Sequence, residues 1–217
     1  MPWLVYSAGP MGAGKSHTLR WLEKRNLFPL QDFVYLDPDA IKYRLPEWVQ
    51  LRSSDPHNAA TLAHKESGYI CEIAERRACE LGRCVLVDGS LRDYEWYKKE
   101  FRRVRAEHPE YKIAIIHVMA SKNTVIRRAE RRANVTGRSV PLDLVLLAYE
   151  QVPFSVAQLA PLADYVVHID NDGNQPIILP PADPVSFGSV WTSSGGVDFN
   201  NYCSIDQRQW VYRNLEK

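Results

Sequence analysis

The stretch WLVYSAGPMGAGKS, residues 3–16, decides how the chain folds. Its apolar beginning, residues 3–7, predicts a short buried strand, and its second half has the pattern Gly-x4-Gly-Lys-Ser that leads from such a strand into a helix. Glycines in this pattern let backbone N–H groups point inward around phosphate oxygens, and the helix N-terminus adds a favourable dipole. The stretch predicts a phosphate-binding loop formed by Gly9, Pro10, Met11, Gly12, Ala13, Gly14, Lys15 and Ser16.

Two side chains of this loop have separate predicted roles. Lys15 is placed to span the β- and γ-phosphates of ATP or GTP, and the Ser16 hydroxyl is placed to bind Mg²⁺. The alternative, an ordinary glycine-rich turn, does not need Lys-Ser at these positions. The loop therefore predicts nucleoside triphosphate binding and leaves the acceptor of a phosphoryl group open.

Apolar runs alternate with helical patterns along most of the remaining chain. Further strands are predicted at 33–36, 84–87, 112–119 and 165–169, with a long amphipathic helix at 57–81. This alternation predicts an α/β fold of the P-loop NTPase and kinase type, a parallel sheet of about five strands with helices on both faces. Ligands of such sheets bind beyond the carboxyl ends of the strands, so polar groups that follow the strands should meet at the glycine loop.

The composition changes near residue 182, after Pro180-Pro181. We expect a kinase-like domain over 1–182 and a C-terminal extension over 183–217. A disordered tail would have few aromatic residues, so the extension is expected to pack on the domain or on a partner. Its large aromatic side chains are Phe187, Trp191, Phe199, Tyr202, Trp210 and Tyr212.

The net charge and the cysteine content indicate in which compartment the protein works and which partners it does not bind. The formal net charge is +1, which argues against a protein that coats nucleic acid or a membrane. The four cysteines form no CxxC pair, so neither a zinc site nor a disulfide framework is expected. No signal peptide and no apolar run of ~20 residues is recognisable. The predicted setting is the cytoplasm, with no membrane or nucleic-acid partner.

An acidic pair follows the second predicted strand in the segment LDPDAIK, residues 36–42. A kinase needs a carboxylate near the acceptor hydroxyl to orient it and accept its proton. Asp39 is the candidate base, and Asp37 is expected to hold Mg²⁺-bound water or the loop itself. The alternative is that Asp39 only caps a short helix.

The third predicted strand ends at Asp88, in the apolar-run-then-Asp form of a Walker B strand. Asp88 is therefore a candidate for Mg²⁺ binding, directly or through water. The polar turn Gly89-Ser90-Leu91-Arg92-Asp93 should lie over the crevice. The alternative for Arg92 is a solvated surface pair with Asp93, which contributes little.

Arginines crowd the predicted helix 122–134 and the turn after it: Arg127, Arg128, Arg131, Arg132 and Arg138. Like charges at i,i+4 destabilise a bare helix by a few tenths of a kcal/mol, and a bound triphosphate would neutralise them. One helical turn places Arg128 beside Arg132, with Arg138 on a lid. A nucleic-acid patch or an exposed face paired with Glu130 is the alternative.

Taken in order, these motifs resemble the zeta-toxin group of P-loop kinases over residues 4–178. The motifs are GPMGAGKS (9–16), LDPDAIK (36–42) before LPE (45–47), HKES (64–67), VDGSLRD (87–93), RAE (128–130) and TGRSVP (136–141). Three positions depart from the family pattern in chemically mild ways: Met11 replaces a common proline, and Ser16 and Ser90 replace threonines. Asp88 occupies a position at which the family has glutamate. Its side chain is one methylene shorter, so the acceptor can differ from that of the family.

The resemblance implies an enzyme that phosphorylates a hydroxyl of UDP-N-acetylglucosamine or a related sugar nucleotide, with ATP or GTP as donor. It implies nucleotide and Mg²⁺ binding by Lys15 and Ser16, Asp39 as base, and Arg128 and Arg138 as arginines that stabilise the phosphoryl group. It further implies an acceptor pocket formed by Glu72, Asp88, Ser90 and Arg92, and it raises an antitoxin-like protein as a partner.

Other functions stay open at this point. A shikimate-like, nucleotide or polynucleotide 5′-hydroxyl kinase would use the same loop with a different acceptor. A nucleotide-gated binding module would use the aromatic extension as its effector surface. For Glu72, a solvated helix position beside Arg76 is the alternative to substrate binding.

Overall fold

The computed structural model describes residues 1–55, 59–136 and 140–192. Within these ranges six strands form one sheet: β1 (Trp3–Ala8), β2 (Val34–Leu36), β3 (Val85–Asp88), β4 (Lys112–Met119), β5 (Tyr165–Asp170) and β6 (Ile177–Ile178). Their order across the sheet is β2-β3-β1-β4-β5-β6. The first five strands are parallel, and β6 pairs antiparallel with β5.

Eight α-helices are found in the described ranges: α1 (Lys15–Lys24), α2 (Pro38–Lys42), α3 (Trp48–Ser54), α4 (Ala59–Glu80), α5 (Tyr94–Glu107), α6 (Lys122–Thr136), α7 (Leu142–Leu159) and α8 (Pro184–Thr192). The predicted parallel α/β architecture is confirmed. The sixth strand, α3 and α8 were not predicted. A two-residue strand has no periodicity to detect, and α3 buries none of its residues, so it has no apolar stripe.

The two faces of the sheet are covered by different helices, because successive strand residues point to opposite faces. On one face Tyr6, Val87 and Ile115 pack with side chains of α4, α5 and α7. On the other face Val5 and Ile116 pack with side chains of α1 and α8. Burial on both faces explains why the central strands are continuous apolar runs rather than alternating ones.

The described part of the C-terminal extension packs on the sheet. Phe187 and Trp191 of α8 are buried, and the Trp191 ring centroid lies 5.1 Å from that of Trp3 and 4.8 Å from that of Phe28. Residues 193–217 lie outside the described residues. The division of the chain at residue 183 stays a prediction. None of the helices in the described ranges is both long and apolar enough to cross a bilayer.

A buried ionic network joins α4, α5 and β1 below the carboxyl edge of the sheet. The Arg103 guanidinium donates to Glu75 Oε1 at 3.1 Å and also pairs with Glu100, while the Tyr6 hydroxyl donates to Glu75 Oε2 at 3.2 Å. Burial, together with the hydrogen bond to Glu100 and its charge, raises the pKa of Glu75 to about 8. Glu100 is itself buried, but hydrogen bonds from Arg103 and Glu75 hold its pKa below the ordinary value.

This network predicts a pH-dependent stability. A carboxyl whose pKa is raised on folding stabilises the fold when protonated, and this contribution is lost as the pH rises through the folded pKa, here about 8. Glu75→Gln removes the charge. Its oxygen can still accept the hydrogen bond from Arg103, and its NH2 group can donate to the Tyr6 oxygen in place of the bond that Tyr6 donates to Glu75. We expect its free energy of unfolding, relative to wild type, to increase by about 1–2 kcal/mol between pH 6.5 and 9. Urea unfolding at several pH values measures this difference.

The matched control is Glu107→Gln, because Glu107 also pairs with Arg103 but its side chain is 55% exposed. Its stability should follow the wild-type pH curve. Parallel pH curves for Glu75→Gln and wild type would show that Glu75 is ionised throughout this range.

Candidate active site

The loop between β1 and α1 depends on three glycines with positive φ: Gly9 (148°), Gly12 (93°) and Gly14 (87°). The loop is packed closely on its surroundings. A Cβ atom at Gly12 would lie 2.3 Å from the backbone oxygen of Val125, and one at Gly14 would lie 2.2 Å from Nδ2 of Asn171. The loop therefore has room for backbone only, which lets its amides approach a ligand closely.

The N-terminus of α1 is available to an anion. Gly14 is the N-cap residue in a left-handed conformation, and no side chain caps the helix. The Lys15 ammonium donates to Gly9 O at 2.9 Å and so lies across the loop. Burial lowers the pKa of Lys15, and the nearby carboxylates of Asp88 and Asp39 partly oppose this effect. The Lys15 ammonium thus lies across the glycine loop with the carboxylates of Asp88 and Asp39 near it.

Asp88 accepts hydrogen bonds from hydroxyl groups of three elements. Ser7 donates to Oδ1 at 2.6 Å, Tyr35 donates to Oδ2, and the Ser16 hydroxyl lies 3.4 Å from Oδ2. The carboxylate is buried at the end of β3 beside the glycine loop. Hydroxyl and carboxylate oxygens suit Mg²⁺, which takes its remaining ligands from phosphates and water rather than from a protein cage. Ser16 and Asp88 therefore fit the predicted metal site.

The two carboxylates after β2, Asp37 and Asp39, have different structural roles. Asp37 is the N-cap of α2 and accepts a hydrogen bond from the Asp39 amide at 2.8 Å. Burial raises the pKa of Asp37 to about 6, and the charges of Asp88 and Asp39 add to the shift. Because Asp37 makes the cap, the Asp39 side chain is left to face the crevice and is 37% exposed.

Asp39 is held as a carboxylate by a buried lysine. Lys42 Nζ donates to Asp39 Oδ1 at 2.9 Å. Burial alone would raise the pKa of Asp39, but the charge and hydrogen bond of Lys42, with smaller effects of Arg132 and Lys15, hold that pKa below its ordinary value. Asp39 is therefore ionised at neutral pH and can accept a hydrogen bond from an acceptor hydroxyl.

Arg128 of α6 lies against the glycine loop. Its guanidinium donates to Asn171 O at 2.8 Å and approaches Ala13 O at 3.5 Å. Asn171 is buried and donates from Nδ2 to Ala13 O at 2.8 Å. Arg132, one turn further, is close enough for its charge to affect the pKa values of Lys15 and Asp39. Arg128 thus lies against the glycine loop and Arg132 near Lys15 and Asp39, while Arg127 and Arg131 are exposed.

The turn after β3 and helix α4 carry the remaining predicted residues that the structure describes. The backbone oxygen of Ser90 accepts a hydrogen bond from the Gly9 amide at 3.1 Å, which ties the turn after β3 to the glycine loop. Arg92 is exposed, and Glu72 is half-buried on α4. In the described part of the chain, no hydrogen bond links Glu72 or Arg92 to Asp39 or Asp88. Arg138 lies outside the described residues.

Four residues of this arrangement were not among the predicted site residues: Ser7, Tyr35, Lys42 and Asn171. Ser7 and Tyr35 stand inside strands, where they add no polar motif of their own. Asn171 belongs to a turn that bonds to a loop distant in sequence. Only Lys42 had a local signal, its i,i+3 spacing from Asp39 in the first turns of a helix.

A parallel sheet with a glycine loop at its carboxyl edge, a lysine across that loop and carboxylates on the adjoining strands defines a P-loop kinase-like enzyme. The chain matches the Zeta toxin family over residues 1–178. It belongs to this family, and the predicted resemblance is confirmed. No curated protein matches the chain by sequence.

Solved structures share the fold. A chain of the PezAT chromosomal toxin–antitoxin system of Streptococcus pneumoniae has a TM-score of 0.65 at 15% identity, covering 100% of this chain and 87% of that one. A proposed kinase from Chloroflexus aurantiacus has a TM-score of 0.63 at 14% identity, covering 90% and 99%. The AvrRxo1-ORF1:AvrRxo1-ORF2 complex with ATP gives 0.60 at 12%, covering 100% and 76%. At these identities the likeness establishes the fold alone.

Proposed function

We propose that the protein transfers the γ-phosphoryl group of ATP or GTP to a hydroxyl of a small molecule, a sugar nucleotide such as UDP-N-acetylglucosamine. The observation that carries the proposal is the joint placement of Lys15, Asp39 and Asp88, since both carboxylates act on the lysine across the glycine loop. A donor phosphate in the loop and an acceptor hydroxyl beside Asp39 would then meet in one crevice.

On the donor side, the loop amides and the uncapped N-terminus of α1 bind the phosphates. Lys15 moves from Gly9 O to the β- and γ-phosphate oxygens. Ser16 and Asp88 hold Mg²⁺, which neutralises charge on the β- and γ-phosphates when it is bound. Burial of Lys15 strengthens its interaction with the phosphates, because charges attract more strongly where water is excluded.

At the acceptor, Asp39 orients the hydroxyl and accepts its proton. A loose, metaphosphate-like transition state places little demand on base strength, so an ionised carboxylate with a low pKa is adequate. Lys42 fixes the Asp39 carboxylate through its hydrogen bond to Oδ1. Arg128 and Arg132 face the transferred group, and Arg138 is proposed to join them, as the family resemblance implies.

The acceptor side favours an anionic substrate. Burial lowers the pKa of His64, and the charge of Lys42 lowers it further. Asp39 opposes this shift, and Arg92 adds to it. Lys42 of α2 and Arg92 of the turn after β3 thus place two cations near His64, and Lys42 also pairs with the proposed base Asp39. Glu72 and Ser90 supply the acceptors and donors that a sugar would need. This supports a diphosphate-bearing sugar as substrate.

Two further proposals follow from the family and the thiols. Solved relatives of the same fold include toxin–antitoxin assemblies, which supports an antitoxin-like protein as a partner of this chain. Cys71, Cys79 and Cys84 are free thiols, which supports a reducing compartment such as the cytoplasm.

A metabolite extract incubated with Mg-ATP and the protein tests the proposed activity. Mass spectrometry should detect a new species heavier by one phosphate, which is absent with Lys15→Ala and present with Lys24→Ala, whose side chain is exposed at the end of α1. UDP-N-acetylglucosamine serves as a purified acceptor in a parallel reaction. If ATP were consumed at the same rate with and without an acceptor, the proposed kinase activity would be contradicted.

A further inference from the structure

Ser7 and Asp88 are register partners on the neighbouring strands β1 and β3. Their side chains therefore lie on the same face, and Ser7 donates to Oδ1 of the carboxylate at 2.6 Å. The register of the two strands holds this pair together, so Oδ1 has a partner at 2.6 Å, and this oxygen is closer to the Ser7 hydroxyl than Gly89 O is at 3.1 Å.

The second oxygen has a partner from a third strand. Tyr35 of β2 pairs in register with Leu86, two residues before Asp88, and its hydroxyl donates to Oδ2. Its ring packs in the apolar layer between the sheet and helices α1 and α8. A packed ring limits the movement of the hydroxyl, so Tyr35 fixes the plane of the carboxylate together with Ser7.

We propose that Tyr35 is a positioning residue that orients Asp88 for a divalent cation at Ser16. This rests on the proposed function, in which Ser16 and Asp88 hold Mg²⁺. Oδ1 uses one lone pair for Ser7 and Oδ2 uses one for Tyr35, while the Ser16 hydroxyl lies 3.4 Å from Oδ2 on the side where the cation would bind. Without the Tyr35 hydroxyl, the Oδ2 atom would be free to turn away from Ser16.

The electrostatic setting makes such a restraint necessary. Asp37, Asp39 and Asp88 all lie near Lys15, and the charges of Asp88 and Asp39 both act on Asp37. Repulsion among three carboxylates favours any rotation that separates them. The Tyr35 hydroxyl bonds to Asp88, and the charge of Asp37 also acts on it. It therefore holds Asp88 in place against this repulsion.

Tyr35→Phe tests the proposal, since it removes the hydroxyl and keeps the ring. The readout is binding of Mn²⁺, a paramagnetic substitute for Mg²⁺, followed by electron paramagnetic resonance with a non-hydrolysable ATP analogue. We expect the dissociation constant of Mn²⁺ to rise roughly tenfold or more, as for other residues that orient metal ligands. Binding of the analogue in EDTA should stay within about twofold of wild type, because its phosphate contacts do not involve Tyr35.

Tyr165→Phe is the matched control. Tyr165 packs in the same apolar layer, and its buried hydroxyl has no hydrogen-bond partner in the described part of the chain. It should bind Mn²⁺ like wild type. Wild-type Mn²⁺ affinity in Tyr35→Phe, or an equal loss in both variants, would overturn the positioning role alone. A wild-type protein that binds no analogue even with Mn²⁺ would overturn the proposed function, and this inference with it.

Discussion

Asp39→Asn is expected to reduce phosphoryl transfer by a factor of roughly 10² to 10⁴, the usual contribution of a positioned acid or base. The asparagine oxygen can still accept the hydrogen bond that Lys42 donates to Asp39, so the local structure should survive. The lost property is the negative charge that accepts the proton of the acceptor hydroxyl. Single-turnover transfer from labelled ATP to the acceptor found in the metabolite extract measures the effect.

Nucleotide affinity separates this role from a structural one. Asp39 carries a negative charge that acts on Lys15 and would face the γ-phosphate. Its removal should leave ATP binding unchanged or slightly tighter, as measured by calorimetry. Asp143→Asn is the control, because Asp143 is exposed in the first turn of α7. Transfer at the wild-type rate by Asp39→Asn would show that another group is the base.

The parallel architecture was accessible from sequence because its signals are local. A glycine loop with Lys15-Ser16 marks one strand–helix junction, and long apolar runs mark the other central strands. A parallel sheet then places the carboxyl ends of its strands at one edge, which is how Asp39 and Asp88 could be assigned to one crevice before any coordinates. β6 and α3 gave no comparable signal, since one has two residues and the other buries none.

The residues that hold Asp88 and the glycine loop in place could not be found from the sequence, because their contacts join elements that are distant along the chain. That Ser7 faces Asp88 follows from the register of β1 against β3, which the sequence does not specify. Asn171 contacts Ala13 only because β5 ends near the glycine loop. The case of Asp37 is different. Pro38 at the first position of α2 favours Asp37 as the N-cap of that helix. This local signal would have distinguished the capping role of Asp37 from the role proposed for Asp39.

Gly12→Ala is expected to abolish nucleotide binding, with the dissociation constant of Mg-ATP raised at least about 100-fold, or ~2.7 kcal/mol. Gly12 has a φ of 93°, and its Cβ would lie 2.3 Å from Val125 O and 3.1 Å from Val125 C. These are backbone atoms of α6, so no flexible side chain can move aside. Either the loop or α6 must shift, and α6 carries the Arg128 guanidinium that contacts Asn171 and Ala13.

Gly68→Ala is the matched control for that variant. Gly68 lies within α4, and a Cβ there would meet no described atom within 4 Å apart from its chain neighbours and the backbone of its own helix. Alanine should stabilise the helix by about 0.5–1 kcal/mol, whereas Gly12→Ala should destabilise the fold through its left-handed backbone. Thermal unfolding and calorimetric titration of both variants distinguish a general effect of added methyl groups from a local one. If Gly12→Ala bound Mg-ATP with wild-type affinity, the phosphates could not lie in the glycine loop, and the donor site would have to be sought elsewhere in the molecule.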